Sequence, residues 1–211
     1  MLKPTIFPSV PRLYNRIYSV FNSKIREAGC FKGWLVKQGL KAKLNTLHSG
    51  QAVYTSSWDF AFKKFKSALG GNVRFMVTAS APIDKNVLEF LKCCFSCPIL
   101  EGYGLTETTG GSSLTWKDDT TVGHVGGPVA CVKWRLKDVP EMEYAATDKP
   151  YPRGELCMYG ASIFCGYYKR PDLTNDCFDE QGWFRTGDVV EAYPNGTVKI
   201  IDRSKNIFKL S

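Results

Sequence analysis

The chain has 211 residues, 44% of them hydrophobic and 23% charged, which suits a globular protein of one large domain or two small ones. Its formal charge of +8 is spread along the chain without a basic run of five or more, so a nucleic-acid interface is not expected. No stretch of about eighteen apolar residues occurs, and Met1-Leu2-Lys3-Pro4 lacks the apolar core of a signal peptide.

The apolar positions Leu13, Ile17, Val20, Phe21 and Ile25 recur at helical spacing, predicting an amphipathic helix over 12–28 that ends at Gly29. Phe62, Phe65 and Leu69 predict a second over 59–69. Lys41, Lys43, Lys63, Lys64 and Lys66 read as a solvated basic face, suited to phosphates or anionic head groups.

Val73 to Val77, bounded by Gly71 and by Ala79-Ser80-Ala81, suits a buried parallel strand. Asp84 to Phe95 reads as a helix with Val87, Leu88, Leu91, Cys94 and Phe95 on one face, and Pro98-Ile99-Leu100 returns as a strand. Strand, helix and strand imply a parallel βαβ unit. Its ligand loops would leave the carboxyl ends of the strands, at Thr78 to Pro82 and at Gly102 to Glu107.

Eight cysteines without a secretory signal read as free thiols in a reducing compartment. Cys94-Phe95-Ser96-Cys97, preceded by Cys93, has C-x-x-C spacing, but no second pair exists to complete a zinc ribbon. A redox pair would open a helix, and this one closes a helix before Pro98, so buried packing residues are expected. His48 and His124 are isolated, which favours structural roles, and no G-x-S-x-G supports Ser80 or Ser112 as a nucleophile.

Beyond Pro128 the pattern changes to short β-like runs: Lys133 to Leu136, Gly154 to Met158, Asp188 to Tyr193 and Thr197 to Ile201. Pro194-Asn195-Gly196 joins the last two as a hairpin turn. The expected fold class is α/β, a parallel βαβ layer followed by a small antiparallel β subdomain. The expected division is an α/β part at 1–128, a β-rich part at 129–202 and a connecting segment at 203–211.

Glu101-Gly102-Tyr103-Gly104-Leu105-Thr106-Glu107 places a ring, a hydroxyl and a carboxylate on one glycine-rich turn. An adenine takes a flat apolar partner, a phosphate takes short hydroxyl and N–H donors, and magnesium takes a carboxylate oxygen. Alone, the turn also suits an ordinary strand-to-helix connection. Asp188, after Thr186-Gly187 and at the expected entrance of a strand, can accept hydrogen bonds from both hydroxyls of a ribose, or cap its own turn. Arg203 can contact a ribose or a phosphate, or remain a surface arginine. Trp183 and Phe184 read as packing residues.

Taken together, Tyr103 to Glu107, Thr186 to Asp188 and Asp202 to Lys205 resemble the YG[LM]TE, [ST]GD and DRxK elements of the adenylate-forming superfamily, and within it the long-chain fatty acyl-CoA synthetases. Gly123 to Pro128, Arg153-Gly154-Glu155 and Gly166 to Pro171 match further family elements in the same order. The resemblance implies ATP-dependent activation of a fatty acid and its transfer to coenzyme A, with magnesium as cofactor. It implies that Glu107 holds the metal, Thr106 bonds the α-phosphate, Tyr103 covers the adenine, and Asp188 with Arg203 holds the ribose. Ala79, Ser80, Ala81, Pro82, Glu101, Gly102 and Gly104 complete the implied nucleotide site, and Lys205 is the implied hinge. Where the family carries glycine this chain has Ala79-Ser80, which departs from the pattern. The resemblance further implies an internal piece of a longer, intracellular enzyme at the cytosolic face of a membrane such as the endoplasmic reticulum, inactive alone. The alternatives are a nucleotide- or acyl-binding module without turnover, and a ligase acting on another carboxylic acid.

Overall fold

A computed structural model describes residues 2–204, and these form two compact units, 2–101 with 116–123 and 102–115 with 124–204. The chain is α/β, with parallel pairing in the first unit and antiparallel pairing in the second.

In the first unit, strands β1 (Ile6–Ser9), β2 (Phe75–Thr78) and β3 (Ile99–Tyr103) lie parallel, with β3 pairing to β2 through residues 99–101. Helix α4 (Lys85–Phe95) connects β2 to β3 and completes the expected βαβ unit. Asp84 starts α4 by accepting the N–H groups of Asn86 and Val87, satisfying donors that a helix start leaves open. Helix α1 (Pro11–Glu27) buries Tyr14, Phe21 and Ile25, and the Tyr14 hydroxyl donates to the carbonyls of Phe7 in β1 and Val77 in β2. Leu88, Leu91, Phe95, Met76 and Ile99 join these residues in one core.

Helix α2 (Cys30–His48) was not expected, because its buried face consists of Gly33, Gly39, Lys43 and Leu47 rather than an apolar stripe. A Cβ at Gly39 would stand 3.1 Å from the Phe62 ring and 3.2 Å from Trp58, so the missing side chain admits the aromatic packing. The helix expected over 59–69 divides into a 3-10 turn at Ser57–Phe62 and α3 (Lys63–Ala68).

Lys43 does not belong to a solvated face. It is 1% exposed, and its ammonium donates to Asp59 Oδ1 at 2.6 Å, Ser96 Oγ at 2.5 Å and the Cys93 carbonyl at 2.9 Å. Three acceptors match its three donors, which is the condition for keeping a charge out of water. All eight cysteines are free, and burial pushes the thiols of Cys93 and Cys97 up to about 12, so neither is a thiolate at neutral pH. Among the described residues no helix is long and apolar enough to cross a membrane.

In the second unit, residues 102–103 of β3 pair antiparallel with β4 (Ser113–Leu114), which pairs with β5 (Gly127–Pro128). An antiparallel four-stranded sheet follows in the order β6 (Val132–Lys137), β7 (Arg153–Gly160), β8 (Phe184–Ala192) and β9 (Val198–Arg203). Val132, Leu156, Met158, Phe184, Val190 and Val198 form its core, against which Tyr103, Leu105, Phe164 and Phe178 pack. Helix α5 (Pro171–Cys177) lies between β7 and β8 in sequence. Asp188 does not stand at a strand entrance as expected, since β8 begins at Phe184 and Asp188 lies in its middle. Gly187 has a φ of 74° and interrupts the apolar pattern without ending the strand.

Candidate functional site

The second unit builds a cavity of about 410 Å³ whose wall includes Glu107, Tyr167, Arg185, Thr186, Asp188 and Arg203. The strand register explains part of this. Asp188 and Arg203 are direct partners in the β8–β9 pair, and Arg203 Nε lies 3.0 Å from Asp188 Oδ1. Tyr103 donates its hydroxyl to the other oxygen, Oδ2, at 2.6 Å. Burial, and then the Asp188 charge, raises the Tyr103 phenol well above its ordinary value, so it stays a donor at all relevant pH. The Asp188 carboxylate is 4% exposed, while Arg203, its ion-pair partner, is 66% exposed.

Thr186 shapes the turn before Asp188. Its hydroxyl donates to the Leu156 carbonyl at 2.7 Å and accepts the Asp188 N–H at 3.1 Å. Glu155, 3% exposed, accepts the Gly187 N–H at 3.1 Å through Oε1 and holds Arg185 through Oε2 at 2.9 and 3.1 Å. The sequence showed Glu155 only as part of a motif, and gave no sign of Tyr167 beyond the Gly166 to Pro171 element.

Glu107 belongs to a 3-10 turn at Thr106–Thr108, held by Thr108, whose hydroxyl accepts the Leu105 N–H at 2.9 Å. Gly104 permits the loop to close: a Cβ there would lie 2.2 Å from the Gly110 carbonyl oxygen. Glu107 Oε1 accepts the Tyr167 hydroxyl at 2.6 Å. Among the described residues no group of three or more His, Cys, Asp or Glu side chains stands together as a metal cage. Magnesium carried mainly on substrate phosphates and water needs only one or two carboxylates, and Glu107, whose Oε2 makes no hydrogen bond with a described residue, fits that donor set.

Three of the expected site residues, Glu107, Asp188 and Arg203, line the cavity, and Tyr103 is joined to it through its hydrogen bond to Asp188. Thr106 is exposed and does not line it, and Gly102 and Gly104 serve the backbone path. Lys205 lies outside the described residues. The remaining expected residues belong to the first unit, at the carboxyl ends of its strands. Ser9, Thr78 and Glu101 are register partners across β1, β2 and β3. The loop Ala79 to Pro82 follows, with Ser80 in the left-handed region at a φ of 76°. Glu101 is 8% exposed, and burial pushes its carboxyl up to about 7, against the lowering effects of the Gly123 N–H, Lys92 and Lys85.

Comparison with known families decides what this arrangement is related to. A family model described as AMP-binding enzyme matches residues 1–168. The chain belongs to that family. Fatty acyl-CoA synthetase A of Dictyostelium discoideum is 44% identical over 212 residues, covering 100% of this chain and 32% of the relative. Long-chain-fatty-acid–CoA ligase 1 of Homo sapiens is 45% identical, covering 100% of this chain and 30% of the relative. The chain therefore spans about a third of the length of these curated members of the family. Among solved structures, the A-PCP didomain of carboxylic acid reductase from Segniliparus rugosus in complex with AMP superposes with a TM-score of 0.72 at 30% identity, covering 97% of this chain and 24% of that one.

Proposed function

We propose that this chain is the nucleotide-holding part of an ATP-dependent long-chain-fatty-acid–CoA ligase. The observation that carries the reading is the cavity that joins Glu107 to the Asp188–Arg203 pair, in a chain 44% identical along its whole length to a fatty acyl-CoA synthetase. In the reaction a fatty-acid carboxylate oxygen attacks the α-phosphorus of ATP. The bond to the bridging oxygen breaks, and pyrophosphate leaves with the electron pair. The thiolate sulfur of coenzyme A then attacks the acyl carbonyl, the bond to AMP breaks, and acyl-CoA is released.

Asp188 accepts the ribose hydroxyls, and its second oxygen stays fixed by Tyr103. Arg203 moves from Asp188 to a ribose or phosphate oxygen, which its exposure permits. Glu107 would hold magnesium, which supplies charge neutralisation on the phosphoryl oxygens when bound. Thr106 donates to the α-phosphate, and Gly102 and Gly104 supply close backbone approach to the nucleotide. The whole enzyme acts at an intracellular membrane surface.

The test is acyl-CoA formation by the full-length gene product over a ladder of fatty acids, with pyrophosphate release followed in parallel. Thioester formation that rises with chain length supports the proposal. Nucleotide binding without turnover, or turnover confined to short or aromatic acids, overturns it in favour of a binding module or of a ligase for another acid.

A further inference from the structure

The Glu107 carboxylate is held from a second loop that none of the expected roles includes. Residues 162–167 reach the turn at 105–109 through three hydrogen bonds. Thr109 Oγ1 donates to the Ser162 carbonyl at 2.7 Å, the Phe164 N–H donates to the Glu107 carbonyl at 2.8 Å, and the Tyr167 hydroxyl donates to Glu107 Oε1 at 2.6 Å. Both the backbone and the side chain of Glu107 are thus gripped by one segment.

That segment is anchored in turn. Phe164 packs edge-on against Tyr167 at 4.9 Å and against Phe184 of the core at 5.5 Å. The Tyr167 N–H donates to Thr174 Oγ1 on α5 at 2.9 Å, and that hydroxyl donates to the Arg170 carbonyl at 2.9 Å. Gly166 makes this possible. Its φ is 144°, and a Cβ there would meet Thr174 Cγ2 at 2.6 Å. The phenol therefore reaches Glu107 from a fixed base rather than from a loose loop.

We infer that Tyr167 is the positioning residue for Glu107, fixing Oε1 so that Oε2 faces the cavity and meets the metal that accompanies the nucleotide. This rests on the reading of Glu107 given under Proposed function. A ligating carboxylate left without its outer partner samples other rotamers, and loss of such partners lowers metal affinity or activity by roughly 10- to 100-fold.

The experiment is a magnesium titration of pyrophosphate release at saturating fatty acid, paired with a calorimetric titration of magnesium into protein holding a non-hydrolysable ATP analogue, in the full-length gene product, for Tyr167→Phe, Thr174→Val and Glu107→Gln. Tyr167→Phe keeps the ring against Phe164 and removes only the hydroxyl. Its half-saturating magnesium should rise by about 10-fold or more, with the maximal rate largely recovered at high magnesium, a rescue that a general loss of structure would not give. Thr174→Val leaves the phenol in place and loosens its base, and should give a smaller shift of the same sign. If Glu107→Gln alters the magnesium dependence while both loop variants titrate as the parent, the role of Tyr167 is overturned and that of Glu107 stands. If Glu107→Gln also titrates as the parent, the metal role of Glu107 falls and this inference falls with it.

Discussion

Glu155 closes its carboxylate on the Gly187 N–H, at 3.1 Å and across 32 positions of sequence, and so fixes the backbone from which Asp188 projects. The same carboxylate holds Arg185 in a fork through its second oxygen. Glu155→Gln keeps the shape but exchanges a charged acceptor for a neutral one. Hydrogen bonds to charged groups contribute about 1.5 to 3 kcal/mol each, discounted here because Arg185 is 39% exposed. The expected loss is about 1 to 2 kcal/mol in denaturant unfolding, with a raised ATP KM. A variant as stable as the parent and with its ATP KM would show that Glu155 does not set the turn.

Asp188→Ala removes the acceptor of two hydrogen-bonding groups and leaves the Tyr103 hydroxyl buried without its partner. Loss of charged hydrogen bonds to a ribose predicts an ATP KM raised by roughly 10- to 100-fold, with the fatty-acid KM little changed. Steady-state kinetics with each substrate varied in turn will show it. A selective loss of fatty-acid affinity would instead put Asp188 against the acyl chain.

Much of this framework was readable because the signals are local. The βαβ unit follows from Val87, Leu88, Leu91 and Phe95 at helical spacing between two apolar runs, and the β8–β9 hairpin follows from Pro194-Asn195-Gly196. What was not readable depends on distant partners. The buried face of α2 is two glycines, a lysine and a leucine, and only the rings of Trp58 and Phe62 explain the glycine at 39. Tyr167 and Glu107 are 60 positions apart, and no spacing rule joins them. The motif that carries Asp188 was visible, yet its placement inside β8 depends on Glu155 and Thr186 holding Gly187 in an otherwise continuous strand.

Glu101 predicts a pH dependence in the first unit. Its carboxyl is pushed up to about 7 in the fold, from 4.5 without it, by burial beside Asp119, with Lys92 and Lys85 opposing. The folded state binds the proton more tightly than the unfolded one, so this group's stabilising contribution is complete below about pH 4.5. It is lost as pH rises from about 4.5 to about 7. Glu101→Gln should flatten that fall and raise the melting temperature at pH 8 relative to the parent. Parallel stability curves for the two proteins over this range would show that Glu101 ionises normally.

Ser80 occupies a φ of 76° where an L-residue is strained by contact between its Cβ and the backbone. Ser80→Gly relieves that strain at the cost of a more flexible unfolded chain, so a net gain of about 0.5 to 1 kcal/mol is expected. Equilibrium unfolding in urea measures it, and a destabilised variant would mean that the serine makes a compensating contact.

Lys43 has a use of its own because it is 1% exposed and fully bonded while the chain's many other lysines include exposed ones such as Lys63 and Lys64. An acylating reagent modifies exposed amines quickly but reaches Lys43 only when α2 parts from Asp59 and from Ser96 at the end of α4. The rate at which mass spectrometry finds the Lys43 peptide tagged is then a clock for opening of the helical layer, read without any engineered probe.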